Sequence, residues 1–179
     1  SLRNFLGIDI DYYAEVSYDA VVNIVDALGG VDYNVPKGIH VVKGGDVDIR
    51  PGMNHLNGND VLWYLRTRHI YENGDLGRVD TQQEFLKGMV DEMVKKSSSI
   101  NMITFLETYL KYVKTNVPMS ILVDMATNIS NFSSKAVTTQ VVPGFAAMLG
   151  DTSYYIPDYK KTWKIINKSF KDYKLASWT

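Results

Sequence analysis

Residues 56–83 read LNGNDVLWYLRTRHIYENGDLGRVDTQQ and carry the most informative pattern in the chain. They combine three arginines with one amide side chain at the spacing R-x-R-x9-R-x3-Q: Arg66, Arg68, Arg78 and Gln82. A guanidinium group is planar, permanently charged and able to donate to two oxygens at once, which suits phosphate. The stretch therefore predicts an anion-binding site, and the elements predicted around it indicate the fold.

The second half of this stretch predicts a long helix at Val79–Lys96, because apolar residues recur there on one face. Arg78 and Gln82 are four residues apart, so both project from the same side of the helix start. Asp75 precedes Arg78 in the predicted loop that enters the helix. Free N–H groups and the helix dipole favour anions at such an N-terminus. Residues 66–68 are predicted to be extended, so that the two arginines point the same way.

Ordinary surface chemistry explains the same residues without a binding site. The two arginines of 66–68 would then lie on a solvated strand face, Arg78 would pair with Asp75, and Gln82 would be a satisfied helix residue. Spacing alone leaves both interpretations open.

Strand and helix patterns alternate along the rest of the chain. Predicted strands at Ile8–Val16 and Val31–Val35 flank an amphipathic helix at Tyr18–Leu28, and a hairpin is predicted for residues 39–49 around Gly44-Gly45. Helices predominate in the second half, although Val137–Val142 also predicts a strand. The alternation predicts an α/β fold with a mixed β-sheet flanked by helices, an α-β-α sandwich.

Composition limits the class of protein. The chain has 179 residues, which suits a single domain at 1–179, and 45% of them are hydrophobic. Its formal net charge is −1, so no nucleic-acid partner is expected. There is no cysteine, and His40, His55 and His69 lack metal-ligand spacing, so neither a disulfide framework nor a zinc site is predicted.

At the arginine stretch the sequence resembles the LytR–CpsA–Psr family of Gram-positive cell-wall enzymes. The family pattern is LNG-x-x-x-L-x-Y-x-R-x-R, followed by G-D-x-x-R-x-x-x-Q-Q. The matching residues are Leu56, Asn57, Gly58, Leu62, Tyr64, Arg66, Arg68, Gly74, Asp75, Arg78, Gln82 and Gln83. DALGGVDYNVP (26–36), TNVPMS (115–120), VVPG (141–144) and SYYIPD (153–158) extend the resemblance over essentially the whole chain.

The resemblance implies a phosphotransferase on the extracellular face of the cytoplasmic membrane of a Gram-positive bacterium. Such an enzyme moves an anionic glycopolymer, teichoic acid or capsular polysaccharide, from a polyprenyl-pyrophosphate carrier to a peptidoglycan acceptor. By motif match, the catalytic residues would be Arg66, Arg68, Arg78 and Asp75, while Arg66, Arg68, Arg78 and Gln82 would contact the pyrophosphate. Asp75 would be the general base, an orienter of Arg78, or neither. Magnesium assists, and a hydrophobic pocket holds the polyprenyl tail.

The family domain begins upstream of Ser1, so the resemblance implies a piece of the domain that lacks its N-terminal part and is inactive alone. That part carries the magnesium-binding aspartates and several strands, and a membrane anchor precedes it. We therefore expect the Mg²⁺ ligands upstream, no metal ligand in this chain, and an open sheet edge that favours self-association.

Two other functions stay open. One is a binding module that holds a polyprenyl phosphate or an anionic glycan without turnover, and the other is an envelope-related transcriptional regulator or attenuator, a label that the family has carried. The role of the apolar helix faces also stays open, since their side chains would either line a lipid pocket or form ordinary core. Their residues are Phe85, Met89, Ile103, Leu106, Leu122 and Met125.

Overall fold

The computed structural model describes residues 2–41, 47–68, 71 and 75–175, without the side chains of Val41 and Asp75. The predicted turn at Gly44-Gly45 and His69 therefore lie outside the described residues. Two compact units make up the chain, a larger one at Ala14–Thr138 and a smaller one that joins Ser1–Tyr13 with Thr139–Thr179. The single domain at 1–179 stays a prediction.

Helices and short strands alternate in the described residues. The α-helices are α1 (Leu2–Leu6), α2 (Tyr18–Ala27), α3 (Gly58–Arg66), α4 (Asp75–Lys96), α5 (Met102–Tyr112), α6 (Met119–Thr127) and α7 (Tyr159–Ser169). The strands are β1 (Ala14–Val16), β2 (Val31–Val35), β3 (Ile39–Val41), β4 (Val47–Ile49), β5 (Gly52–Leu56), β6 (Val113–Thr115), β7 (Gly144–Leu149) and β8 (Thr152–Pro157). This mixture confirms the α/β class.

The strands that the structure describes pair in four separate antiparallel ladders: β1 with β6, β2 with β5, β3 with β4, and β7 with β8. Each ladder has two strands, in place of the one mixed sheet that the sequence predicts. The strands are three to six residues long, and the short connection between β3 and β4 favours an antiparallel hairpin over a parallel crossover.

The core of the larger unit lies between the β2–β5 ladder and helices α2, α3 and α4. Tyr33 of β2 packs against the rings of Tyr64 and Phe85, with centroid distances of 5.9 and 5.1 Å. The most buried side chains of this core are those of Val25, Leu28, Val31, Val35, Leu56, Val61 and Tyr64. These contacts hold α3 and α4 on the same ladder.

Gly58 allows α3 to pack directly on α2. A Cβ atom at this position would lie 2.3 Å from the carbonyl oxygen of Val22 and 2.6 Å from its Cα. The Gly58 amide also donates to Asp26 Oδ1 over 2.8 Å. Asn57 caps the helix and forms a reciprocal capping box with Asp60. The LNG motif therefore fixes the start of α3 against α2.

Several boundaries in the chain differ from the sequence predictions. Helix α4 begins at Asp75, not at Val79, so Asp75 is helical. The strand predicted at Ile8–Val16 is shortened to β1, because β6 pairs only with Ala14–Val16. The segment Gly52–Leu56, for which no strand was predicted, is β5 and pairs with β2 along its whole length.

The smaller unit contains the β7–β8 hairpin and α7. The strand predicted at Val137–Val142 is wrong, because regular pairing begins at Gly144, after Pro143, which lacks a backbone donor. Gly150 turns the hairpin with φ of 59°, a left-handed conformation that glycine adopts readily. Asp158 then caps α7 by accepting from the Lys161 amide over 2.9 Å.

Candidate functional site

The C-terminal end of α3 carries the first two predicted site arginines. Arg66 is the last helical residue, Arg68 follows two positions later, and both side chains are exposed. Between them, buried Thr67 donates to the Trp63 carbonyl from its backbone N–H (3.1 Å) and from its hydroxyl (2.8 Å). These bonds keep the last turn helical through Arg66. The predicted extended conformation is therefore wrong for Arg66 and holds for Thr67.

Two aromatic rings lie against the guanidinium group of Arg66. Its Cζ atom is 4.5 Å from the ring centroid of Tyr18 and 4.9 Å from that of Trp63. None of the ion pairs among the described residues involves Arg66. The group is therefore held by ring faces, which attract a cation but take up none of its N–H donors.

The first turn of α4 carries the next two predicted residues. Asp75 begins the helix, but its side chain lies outside the described part of the structure. Arg78 is half-buried in the same turn, with its Nε atom enclosed by protein. A Cβ atom at Gly77 would lie 2.5 Å from Cβ of Tyr71, so Tyr71 packs closely on this turn. Arg78 thus stands at a helix N-terminus, where free amides and the dipole favour an anion.

Gln82 joins α4 to the end of α3. Its Nε2 donates to the carbonyl oxygen of Leu65 over 3.0 Å, which satisfies one of the last carbonyls of α3. Because Arg66 follows Leu65 directly and Arg78 is one turn before Gln82, this bond brings the two arginine-bearing helix ends together. Contact between Gln82 and pyrophosphate stays a prediction.

The motif tyrosine Tyr64 belongs to the core and not to the acid–base chemistry of the site. Its side chain is fully buried. Burial raises the pKa of Tyr64 above its ordinary value of 10, and the neighbouring Tyr71 and Tyr33 raise it further. A phenol with a raised pKa stays neutral at physiological pH, so Tyr64 does not serve as a general base.

An apolar cavity of about 290 Å³ begins at the Gln82–Leu65 link. Helices α2, α3, α4 and α5 supply its walls, which include the predicted pocket residues Phe85 and Met89. Gln82 and Tyr109 are the lining residues whose side chains carry polar atoms. An apolar space therefore adjoins the ends of α3 and α4 at which the arginines lie.

A second apolar cavity, of about 140 Å³, lies between α5 and α6. Leu106, Leu122 and Met125 line it, whereas Ile103, predicted with them, lines neither cavity and is half exposed. Three side chains contribute to the walls of both cavities: Met93, Phe105 and Tyr109.

The described residues do not provide a site that fits magnesium. Within residues 2–41, 47–68, 71 and 75–175, no three His, Cys, Asp or Glu side chains come together in a way that would hold a metal ion. In the same part of the chain, no helix combines the length and the apolar character needed to cross a membrane.

Fold and site together define a class of protein: an α/β protein with arginines at two helix ends that meet beside an apolar cavity. The LytR_cpsA_psr family model matches residues 1–171, and the chain belongs to this family.

Curated relatives and a solved structure support this membership. The chain is 31% identical over 173 residues to the polyisoprenyl-teichoic acid–peptidoglycan teichoic acid transferase TagV of Bacillus subtilis (strain 168), covering 92% of this chain and 44% of TagV. It is 32% identical over 162 residues to the transferase TagU of Bacillus anthracis, covering 90% of this chain and 52% of TagU. The crystal structure of B. subtilis TagV superposes with a TM-score of 0.79 at 30% identity, covering 96% of this chain and 67% of the other. The chain thus spans about half the length of these curated relatives.

Two residues of the site were not found from the sequence, Tyr18 and Trp63. Trp63 lies three positions before Arg66, and the i, i+3 spacing would have indicated their contact only if Arg66 had been predicted to be helical. Tyr18 is distant in the sequence, and only the packing of α2 on α3 places it beside Arg66.

Proposed function

We propose that this chain forms the arginine-bearing part of a phosphotransferase that attaches an anionic glycopolymer, teichoic acid or capsular polysaccharide, to peptidoglycan. The donor is the polymer linked to a polyprenyl pyrophosphate, and the acceptor is a peptidoglycan hydroxyl. The enzyme works at the outer face of the cytoplasmic membrane of a Gram-positive bacterium. The single observation that carries the proposal is the Gln82–Leu65 bond, which joins the helix ends of Arg66 and Arg78 at the edge of an apolar cavity.

The chemistry requires positioning and charge stabilisation more than covalent participation by the protein. The acceptor hydroxyl oxygen forms a bond to the phosphorus that carries the polymer, and the bond from this phosphorus to the bridging oxygen breaks. The electron pair leaves with polyprenyl phosphate, and the hydroxyl proton passes to a base or to solvent. Arg66, Arg68 and Arg78 stabilise the negative charge on the phosphate oxygens as it moves towards the leaving group.

The apolar cavity gives the lipid part of the donor a place. Its walls are apolar apart from Gln82 and Tyr109, so a polyprenyl chain loses contact with water there while its pyrophosphate stays at the helix ends. We expect a prenyl pyrophosphate such as geranylgeranyl pyrophosphate to bind the chain more tightly than inorganic pyrophosphate does.

Calorimetric titration of the purified chain with inorganic pyrophosphate tests the site. A charge-assisted hydrogen bond contributes about 1.5–3 kcal/mol, so Arg66→Ala, Arg68→Ala or Arg78→Ala should each weaken binding roughly 10- to 100-fold. Arg50→Ala is the matched control, since Arg50 is an exposed arginine outside the site and its loss changes net charge equally. If the three site variants bind pyrophosphate as tightly as the control does, the proposal is wrong.

A binding module without turnover is the second candidate, because the described residues lack a group that fits magnesium. Such a module would bind geranylgeranyl pyrophosphate through the same arginines and release no phosphate from it. Product release measured beside equilibrium binding separates the two functions. A chain that binds but never turns over, with or without added Mg²⁺, is a binding module.

A further inference from the structure

Arg66 is an arginine at an exposed helix end whose contacts are aromatic. Its Cζ atom lies 4.5 Å from the Tyr18 ring centroid and 4.9 Å from the Trp63 ring centroid. A long side chain in such a place would otherwise sample many rotamers, and ordering it on ligand binding would weaken the affinity. The rings reduce this freedom before any ligand arrives.

We infer that Tyr18 and Trp63 are positioning residues, which hold the Arg66 guanidinium so that its N–H donors face the pyrophosphate. The inference rests on the function proposed above. A carboxylate would fix the arginine by occupying its donors, and none of the described ion pairs provides one for Arg66. An aromatic ring attracts the cation through its face and leaves the donors for phosphate oxygens.

The two rings come from elements that are themselves fixed. Tyr18 is the first residue of α2, and the preceding Ser17 caps that helix by accepting from the Ala20 amide over 3.1 Å. Trp63 lies three residues before Arg66 on α3, and its carbonyl accepts both bonds from Thr67. Both rings are therefore held by ordered helical turns.

Helix packing places the two rings on the same guanidinium. The start of α3 lies against the second half of α2, where Gly58 contacts Val22 and donates to Asp26. The end of α3 reaches the start of α2, where Arg66 meets Tyr18. The position of Arg66 therefore depends on the LNG motif at the other end of its own helix.

A double-mutant cycle with inorganic pyrophosphate tests the inference. Tyr18→Leu and Trp63→Leu should each weaken binding about 3- to 10-fold in the purified chain at low salt, a range typical of an ordered cation–π contact. Tyr18→Phe keeps the ring face and should bind within about twofold of the parent. In an Arg66→Ala background, Tyr18→Leu should have no further effect, because Tyr18 acts only through Arg66.

Tyr112→Leu is the matched control. Lys111 Nζ lies 5.1 Å from the Tyr112 ring centroid on α5, so this variant also removes a ring from under a cation, but away from the site. It should leave pyrophosphate affinity unchanged. Thermal unfolding of every variant identifies any that fails to fold. If one of Tyr18→Leu and Trp63→Leu does not fold, the other takes its place in the comparison, because both remove a ring from Arg66.

The side-chain NMR signal of Arg66 Nε–H gives a readout that requires no ligand. Ring contact shifts this signal and slows its exchange with water, and Tyr18→Leu should remove both effects while Tyr18→Phe keeps them. If Arg66→Ala weakens binding but Tyr18→Leu changes neither the NMR signal nor the affinity, the inference is overturned and the proposed function stands. If Arg66→Ala alone has no effect on binding, the inference is overturned as well, since the rings then position no binding residue. If Arg66→Ala, Arg68→Ala and Arg78→Ala all leave binding unchanged, the proposed function fails.

Discussion

The positively charged side chains near the two ends of α4 have different kinds of partners. At the C-terminal end, Lys95 Nζ bonds Asp32 Oδ2 (2.8 Å) and Glu92 Oε1 (2.9 Å), and Lys96 Nζ donates to the carbonyls of Leu28 (3.0 Å) and Gly30 (2.6 Å). At the N-terminal end, α4 meets α3 through Gln82, beside an Arg66 that rests on aromatic rings.

The difference in partners indicates how the positive charges at the two ends are used. Lysines that donate to carboxylates and to helix-terminal carbonyls have used their charge to connect α4 with β2 and the end of α2, so their role is structural. In the function proposed above, a guanidinium group ordered by ring faces keeps its N–H donors for the pyrophosphate. Removing charge at the C-terminal end should therefore affect stability, whereas removing it at Arg66 should affect anion binding and leave stability within about 0.5 kcal/mol.

Glu92→Ala should have the largest effect on stability. The Glu92 side chain is 8% exposed, and it accepts from Lys95 and from the Asp32 amide. Removing one partner from a buried charged network costs about 3 kcal/mol of the free energy of unfolding. Urea unfolding followed by circular dichroism measures this change, and the folded variant should bind pyrophosphate like the parent.

Glu84→Ala is the control for that experiment, because Glu84 is an exposed glutamate on the same helix that also pairs with a lysine three residues on, Lys87. It should change the free energy of unfolding by less than about 0.5 kcal/mol. Equal destabilisation by the two variants would show that the Glu92 network is no more structural than a surface pair.

Gly58→Ala should have an intermediate effect on stability and should also weaken pyrophosphate binding. The new methyl group would lie within 3 Å of the Val22 backbone, and forcing the helices apart costs about 1–3 kcal/mol of the free energy of unfolding. The same shift would move Arg66 away from Tyr18. Asn59→Ala, in the same turn but exposed, should change neither quantity. If Gly58→Ala lowers stability but binds pyrophosphate as tightly as the parent, the packing of the LNG motif does not position Arg66.

Sequence patterns with a local physical cause predicted the structure best. The helix predicted at Tyr18–Leu28 and the strand predicted at Val31–Val35 follow from neighbouring residues, and the structure confirms both as α2 and β2. The strand β5 was missed because it forms only by pairing with β2, a contact distant in sequence. Its residues include Met53, Asn54 and His55, which carry no clear alternation of their own.

The candidate site also combines features that local sequence predicts with features that depend on other parts of the fold. The spacing of Arg78 and Gln82 on one helix was sufficient to place them together, and the motif gave the remaining candidates. The sequence did not predict that Arg66 is helical, because this conformation depends on the hydrogen bond from the Thr67 hydroxyl to the Trp63 carbonyl. The three residues Arg-Thr-Arg alone do not indicate such a bond. The contact with Tyr18 was missed because it depends on the close approach of α2 and α3 at Gly58.

The smallest effect concerns pH and belongs to the C-terminal end of α4. Hydrogen bonds from Lys95 and then His55 lower the pKa of Asp32 from 3.8 to about 2. A carboxyl group with a lowered pKa in the folded state stabilises the fold above pH 3.8, and this contribution is lost as the pH falls towards 2. The effect should be modest, because the Asp32 side chain is 40% exposed.

Asp32→Asn should therefore lose less stability than the parent between pH 5 and pH 2, as measured by urea unfolding at several pH values. Lys95→Met removes the largest cause of the shift and should flatten the same part of the parent's pH profile. Arg66→Ala should leave the pH profile of the parent unchanged, because Arg66 ends α3, which meets α4 through Gln82 and away from Asp32. A profile that Lys95→Met leaves unchanged would mean that Lys95 does not hold the Asp32 charge. The contrast between the two helix ends would then rest on Glu92 and on the hydrogen bonds of Lys96.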